Sequence, residues 1–151
     1  MSEMLANQYF LSRRYKDALP LFEKVLKNDS GNNTVKKKLI LCYAESGLIN
    51  KALHLFHEVV KTDVGIITDT DPVRDDCPCP QLIYDFECSI TNIKGEREME
   101  IILGILWTFC DLERAIHYFG KAASKDRNNR LLKSIYTTLS STSYKPKMEE
   151  K

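Results

Sequence analysis

Three stretches of this chain repeat one pattern, and no other feature limits its folding options as tightly. Tyr15-Lys16-Asp17-Ala18-Leu19-Pro20-Leu21-Phe22 aligns with Ile49-Asn50-Lys51-Ala52-Leu53-His54-Leu55-Phe56 and with Leu112-Glu113-Arg114-Ala115-Ile116-His117-Tyr118-Phe119. Each reads apolar, two polar, Ala, aliphatic, variable, bulky apolar, Phe. The flanks follow. Tyr9 and Tyr43 stand nine positions before their alanine, and Trp107 stands eight before Ala115. Leu5, Leu39 and Leu103 fall four positions before that aromatic, and Asp29, Asp63 and Asp126 fall eleven after the alanine. Recurrence of this kind is the mark of stacked supersecondary units.

Within each unit the apolar residues recur at helical spacing, as in Leu19, Phe22, Val25 and Leu26, so each unit predicts two amphipathic helices. The alanine marks a close crossing of antiparallel helices, where a larger side chain would hold the axes apart. The Phe one turn later fills the groove beside that crossing. Gly47 sits at the turn of the second unit, where positive φ is common and glycine tolerates it.

These residues resemble the tetratricopeptide repeat family, whose pattern is W-x2-L-G-x2-Y, then A-x3-F, then P over about 34 residues. The step from Ala18 to Ala52 equals that period. Leu103-Gly104-x2-Trp107 with Ala115-x3-Phe119 is the best match. Leu5-Ala6-x2-Tyr9 and Leu39-Ile40-x2-Tyr43 match with the glycine replaced. Ser30, Val64 and Arg127 stand where the family has its closing proline, and the third unit has one residue fewer between its helices. The resemblance covers about residues 1–66 and 97–130. It implies an all-α fold, an antiparallel helix-hairpin solenoid of three repeats at about 1–32, 33–66 and 97–130.

The step from Ala52 to Ala115 is nearly twice the step from Ala18 to Ala52, so an insert, 67–96, precedes the third unit. The insert opens as a polar loop over 68–76, and a helix is expected over 80–92 with Leu82, Ile83, Phe86 and Ile90 on one stripe. Pro80 suits a first helical turn. Leu132, Ile135, Tyr136 and Leu139 predict a last helix over 129–141 that covers the open end of the stack, because a terminal repeat has no neighbour to bury its apolar side. The expected organisation is one domain, 1–142, followed by a loose polar tail, 143–151.

Charge excludes little but points one way. Basic and acidic side chains number 22 and 21; a nucleic-acid binder carries a basic excess on one face, so no nucleic-acid partner is expected. No apolar run approaches the length that marks a membrane span, so no membrane partner is expected, and Met1-Ser2-Glu3-Met4 does not read as an export signal. A cytoplasmic protein with reduced thiols is the expectation.

The sequence offers little chemistry. Cys77-Pro78-Cys79, with Cys88 nearby, is the sharpest motif outside the repeats. A structural zinc site takes four ligands, usually in Cys-x2–4-Cys pairs. Here the spacing is Cys-x-Cys with no second pair, so no metal is assigned, and oxidation of two thiols one residue apart is the other reading. His54 and His117 occupy the same repeat position, and neither they nor His57 has a sequence neighbour that completes a catalytic or metal set. No phosphate-binding glycine loop, H-E-x-x-H or G-x-S-x-G is present. Lys36-Lys37-Lys38 reads as a solvated turn rather than an acidic-peptide site. A non-enzyme without cofactor is therefore expected.

Concave surfaces serve repeat proteins as partner sites. The resemblance implies that the first helix of each unit lines that groove, placing Asn7, Phe10, Lys37, Leu41, Ile105 and Phe109 on it. Some members clamp a C-terminal carboxylate there. Asn7 matches one clamp asparagine, but Glu3 and Glu98 stand where lysines are needed, Lys38 at the second asparagine and Ile102 at the arginine, so no clamp is expected. Two kinds of occupant fit the rest: an amphipathic helix or extended apolar peptide from a partner, or the chain's own inserted helix. The function expected is a scaffold, adaptor or chaperone-like interaction module with a protein or peptide partner, and association with a second copy stays open. The alternative is a metal- or redox-responsive module built on Cys77, Cys79 and Cys88.

Overall fold

Side chains set where several helices begin. Asn32 accepts a hydrogen bond from the Val35 amide, Asp111 from Glu113 and Arg114, and Asn129 from Leu132. Each takes up a donor that a helix start leaves unpaired. The computed structural model describes residues 2–71, 78–88 and 96–142. Among these the chain is all-helical, with α1 (Ser2–Leu11), α2 (Tyr15–Asn28), α3 (Asn33–Glu45), α4 (Ile49–Thr62), α5 (Gly65–Thr68), α6 (Cys79–Cys88), α7 (Glu96–Thr108), α8 (Leu112–Lys125) and α9 (Arg130–Ser141). The three sequence units correspond to α1–α2, α3–α4 and α7–α8. Loops at 12–14, 46–48 and 109–111 join the pairs, and links this short return the second helix antiparallel to the first.

The turns explain why the third unit is one residue shorter. At the first, the Arg13 and Arg14 amides donate to the Phe10 and Tyr9 carbonyls; at the second, Gly47 and Leu48 donate to Ala44 and Tyr43. Both have the two-bond Schellman pattern. Its left-handed residue is Arg13 (φ 65°) in one and the repeat-equivalent Gly47 (φ 81°) in the other. In the third turn the Asp111 amide bonds the Trp107 carbonyl directly at 2.6 Å, and Asp111 then caps α8, so the left-handed residue is dispensed with. Gly47→Ala is expected to destabilise by roughly 1 kcal/mol, from left-handed strain less the entropy saved in the unfolded chain. Arg13→Gly is expected to stabilise by about 0.5–1 kcal/mol by the reverse argument. Urea unfolding of the two variants checks both signs.

Ala18, Ala52 and Ala115 are fully buried at the hairpin crossings, as are Phe22, Phe56 and Phe119. Gly104 belongs to the same packing: a Cβ there would stand 2.9 Å from the Phe119 ring. A polar pair links the helices of the second and third units with its charges exchanged. Lys36 meets Glu58 at 3.3 Å, while buried Glu100 meets Lys125 at 2.7 Å and Lys121 at 3.9 Å. Lys36 and Glu58 align with Glu100 and Lys121.

The units do not run on in a simple line. α4 packs against both α7 and α9, and α9 also packs against α8. The repeat-equivalent Phe56 and Phe119 stack on each other with ring centroids 5.5 Å apart. The final helix thus lies between α4 and α8, burying Leu132, Ile135 and Leu139, rather than only covering one end. Tyr136, expected on that buried stripe, lies 39% exposed. The insert follows the expected order as far as it is described: the short α5 ends at Thr68, residues 69–71 are non-helical, residues 72–76 of the expected loop lie outside the described residues, and the main helix is α6. Ile90 and the remainder of the expected 80–92 helix past Cys88 lie outside the described residues.

Candidate functional site

The groove residues named from the sequence are mostly interior. Phe10, Leu41, Ile105 and Phe109 are each no more than 2% exposed. Phe10 packs edge-on against Tyr15 and Phe22. Asn7 and Lys37 are half-buried and engaged: Lys38 Nζ donates to Asn7 Oδ1 at 2.9 Å, and Lys37 Nζ donates to Thr70 Oγ1 at 2.9 Å. The insert supplies Ile67, Cys79, Leu82 and Ile83 to the same continuous core as these residues. Thr70 holds it to α3, and Asp85 pairs with Arg13 at 3.8 Å beside α1. Among the helices, α6 packs chiefly against α7 and α5 against α4.

What stays open lies elsewhere. A groove of about 620 Å³ runs between α2, α3 and α4. Leu26, Leu39, Tyr43 and Leu55 form an apolar floor, and Glu23, Lys27, Lys51, His54 and Glu58 supply both charge signs around it. The burial of Leu41 and its neighbours was not legible in the helical spacing, because the same stripe can face a ligand or a core. This groove had a weak signal, since Leu26, Leu39 and Leu55 are all apolar repeat positions.

One polar arrangement recurs. The Tyr43 hydroxyl donates to Glu23 Oε2 at 2.5 Å, and the Trp107 indole N–H donates to Glu87 Oε2 at 3.3 Å. The glutamate and its aromatic have the same sequence separation in both, and each glutamate directly follows a Phe, Phe22 or Phe86. α6 therefore meets α7 as α2 meets α3. A cation lies over each ring: Lys51 at 5.8 Å from the Tyr43 centroid and Arg114 at 4.8 Å from that of Trp107. Burial first, and then Glu23, push the Tyr43 hydroxyl far above its ordinary range, so it remains a donor.

The histidines separate by position. His54 is exposed on the groove rim and His117 is exposed on α8. His57 and Ser134 share a hydrogen bond of 2.8 Å that joins α4 to α9. Burial, then the positive charge of Lys61, then His54, lower the His57 pKa below its ordinary 6.5. Its neutral form is thus favoured in the folded state. Above the unfolded value this costs nothing, and as pH falls through that value toward the lower native one, the unfolded chain takes up the proton first and stability is lost. Thermal melts at pH 7.5 and 5.5 are expected to show a larger drop for wild type than for His57→Gln.

The cysteines are unlike one another. Cys42 is buried, and burial pushes its thiol up to about 12, which leaves it unreactive. Cys110 is exposed, and neither is disulfide-bonded. Cys79 is buried and disulfide-bonded, which departs from the expectation of reduced thiols. Cys77 and the Cys88 side chain lie outside the described residues. No group of three or more His, Cys, Asp or Glu suited to a metal occurs among the described residues. No helix among them is long and apolar enough to cross a membrane.

No protein-family model, no curated protein and no solved structure matches this chain.

Proposed function

We propose that the chain is a non-catalytic protein–protein interaction module, built as a tetratricopeptide-like array of helix pairs, that takes a peptide segment of a partner in the groove between α2, α3 and α4. The array reading is supported by the repeat register shared by Ala18 and Ala52 and by the two Schellman turns. The observation that carries the binding reading is the groove itself. Its apolar floor and mixed-charge rim suit an amphipathic segment, whose apolar side chains supply affinity and whose charges fix register. It takes the place of the first-helix surface, because four of that surface's six residues are core.

Affinity capture with cross-linking from a native extract tests this. Cross-links of a partner are expected on Lys27 and Lys51, and capture is expected to fall with Leu55→Glu at nearly unchanged melting temperature. Capture unaffected by Leu55→Glu would move the site elsewhere.

A redox-responsive module is the second reading, favoured by the disulfide at Cys79. Alkylation and mass spectrometry of protein isolated under acid quench test it. A fully reduced Cys79 in cells under both resting and oxidising conditions would end it. Zinc analysis of wild type and Cys77→Ser covers the metal-responsive variant: one equivalent lost on substitution would support it, and metal-free protein would not.

A further inference from the structure

The glutamate-on-aromatic arrangement occurs twice, and one copy has a member that the other lacks. At Trp107 the Tyr118 hydroxyl donates at 3.4 Å to the same Glu87 Oε2 that receives the indole N–H at 3.3 Å. Tyr118 thus reaches from α8 across to α6. Burial, then the charge and hydrogen bond of Glu87, push its hydroxyl above the ordinary range, so it stays a donor. Tyr118 stands three positions after Ala115, and the residue three after Ala52 is Leu55. Leu55 is shorter and has no hydroxyl, so this position of α4 offers Glu23 no donor. The space beside it is the groove of about 620 Å³, which Glu23, Tyr43 and Leu55 line together.

We propose that this groove takes a tyrosine of the partner segment, its ring laid on Leu39, Tyr43 and Leu55 and its hydroxyl donating to Glu23 as that of Tyr118 donates to Glu87. This rests on the reading of the groove as the partner site and names the side chain that the site selects. A carboxylate has room for several donors, and Glu87 takes two on one oxygen, so Glu23 can receive a second phenol beside Tyr43. The surroundings match as well, since Lys51 and Arg114 hold the same place over the Tyr43 and Trp107 rings. A phenylalanine would fill the apolar space but bring no donor. A phosphotyrosine would bring an anion against the Glu23 carboxylate. The unmodified phenol meets both the floor and the acceptor.

The probes are N-acetyl-tyrosinamide, N-acetyl-phenylalaninamide and N-acetyl-phosphotyrosinamide, each titrated into the full chain and followed by NMR. The tyrosine amide is expected to shift the signals of Leu39, Tyr43 and Leu55 saturably. The phenylalanine amide is expected to bind about tenfold more weakly, the size of a hydrogen bond to a charged group. Glu23→Ala is expected to erase that difference. Leu55→Tyr, which supplies the phenol from α4 itself, is expected to abolish binding while the protein stays folded by its melting curve. Equal binding of the tyrosine and phenylalanine amides overturns the proposal, as does a preference that survives Glu23→Ala. Tighter binding of the phosphotyrosine amide overturns it too, because Lys27 and Lys51 rather than Glu23 would then select the ligand. None of these results touches the groove reading, which stands or falls on partner capture by Leu55→Glu protein; capture unaffected there ends both.

Discussion

Leu41→Glu is expected to abolish the cooperative thermal transition at neutral pH. Leu41 is 2% exposed and belongs to the continuous core. A carboxylate there gives up its hydration with no cation supplied to pair it, at a cost of several kcal/mol, and total stability of a domain is only about 5–15 kcal/mol. The control is Leu11→Glu, on the solvent side of α1, which is expected to leave melting nearly unchanged. Circular dichroism melts of the two variants decide the matter. If Leu41→Glu instead melts like wild type, the first helices do line an open groove and the partner surface belongs there.

Phe119→Ala is expected to cost about 3–5 kcal/mol, measured by urea unfolding. Its ring is fully buried, stacked on Phe56, and pressed against the backbone of α7 at Gly104, so the vacated space is bounded by three helices and collapses poorly. The same geometry predicts coupling. Gly104→Ala alone should destabilise by about 1–3 kcal/mol, because its new methyl group would stand 2.9 Å from a ring held from behind by Phe56. In Phe119→Leu protein, Gly104→Ala should cost much less, since a shorter side chain leaves room for the methyl. A double-mutant cycle with no interaction energy would mean that α7 and α8 separate freely, and the close-crossing reading of the glycine would fail.

The helices and their partners within each pair were readable because their causes are local. Apolar spacing sets each buried stripe, the cap residues set starts, and the loops are too short for anything but an antiparallel return. Even the shortened third turn was visible as a missing residue, although its meaning, the loss of the left-handed position held by Arg13 and Gly47, needed backbone angles. The candidate site was far less legible. Phe10, Leu41, Ile105 and Phe109 carry the same pattern whether they meet a ligand or the rest of the chain, and spacing along one helix says nothing about which.

That division has a physical origin. The sequence by itself determined the elements: all-helical structure, three hairpins with alanine at each crossing, and an added helix after Pro80. Only the tertiary structure decided how they close on one another. The stacking of Phe56 on Phe119, the wedging of α9 between α4 and α8, and the bond from Lys37 to Thr70 that ties the insert to α3 are contacts between residues far apart in sequence. They follow from which faces fit together once every helix has formed.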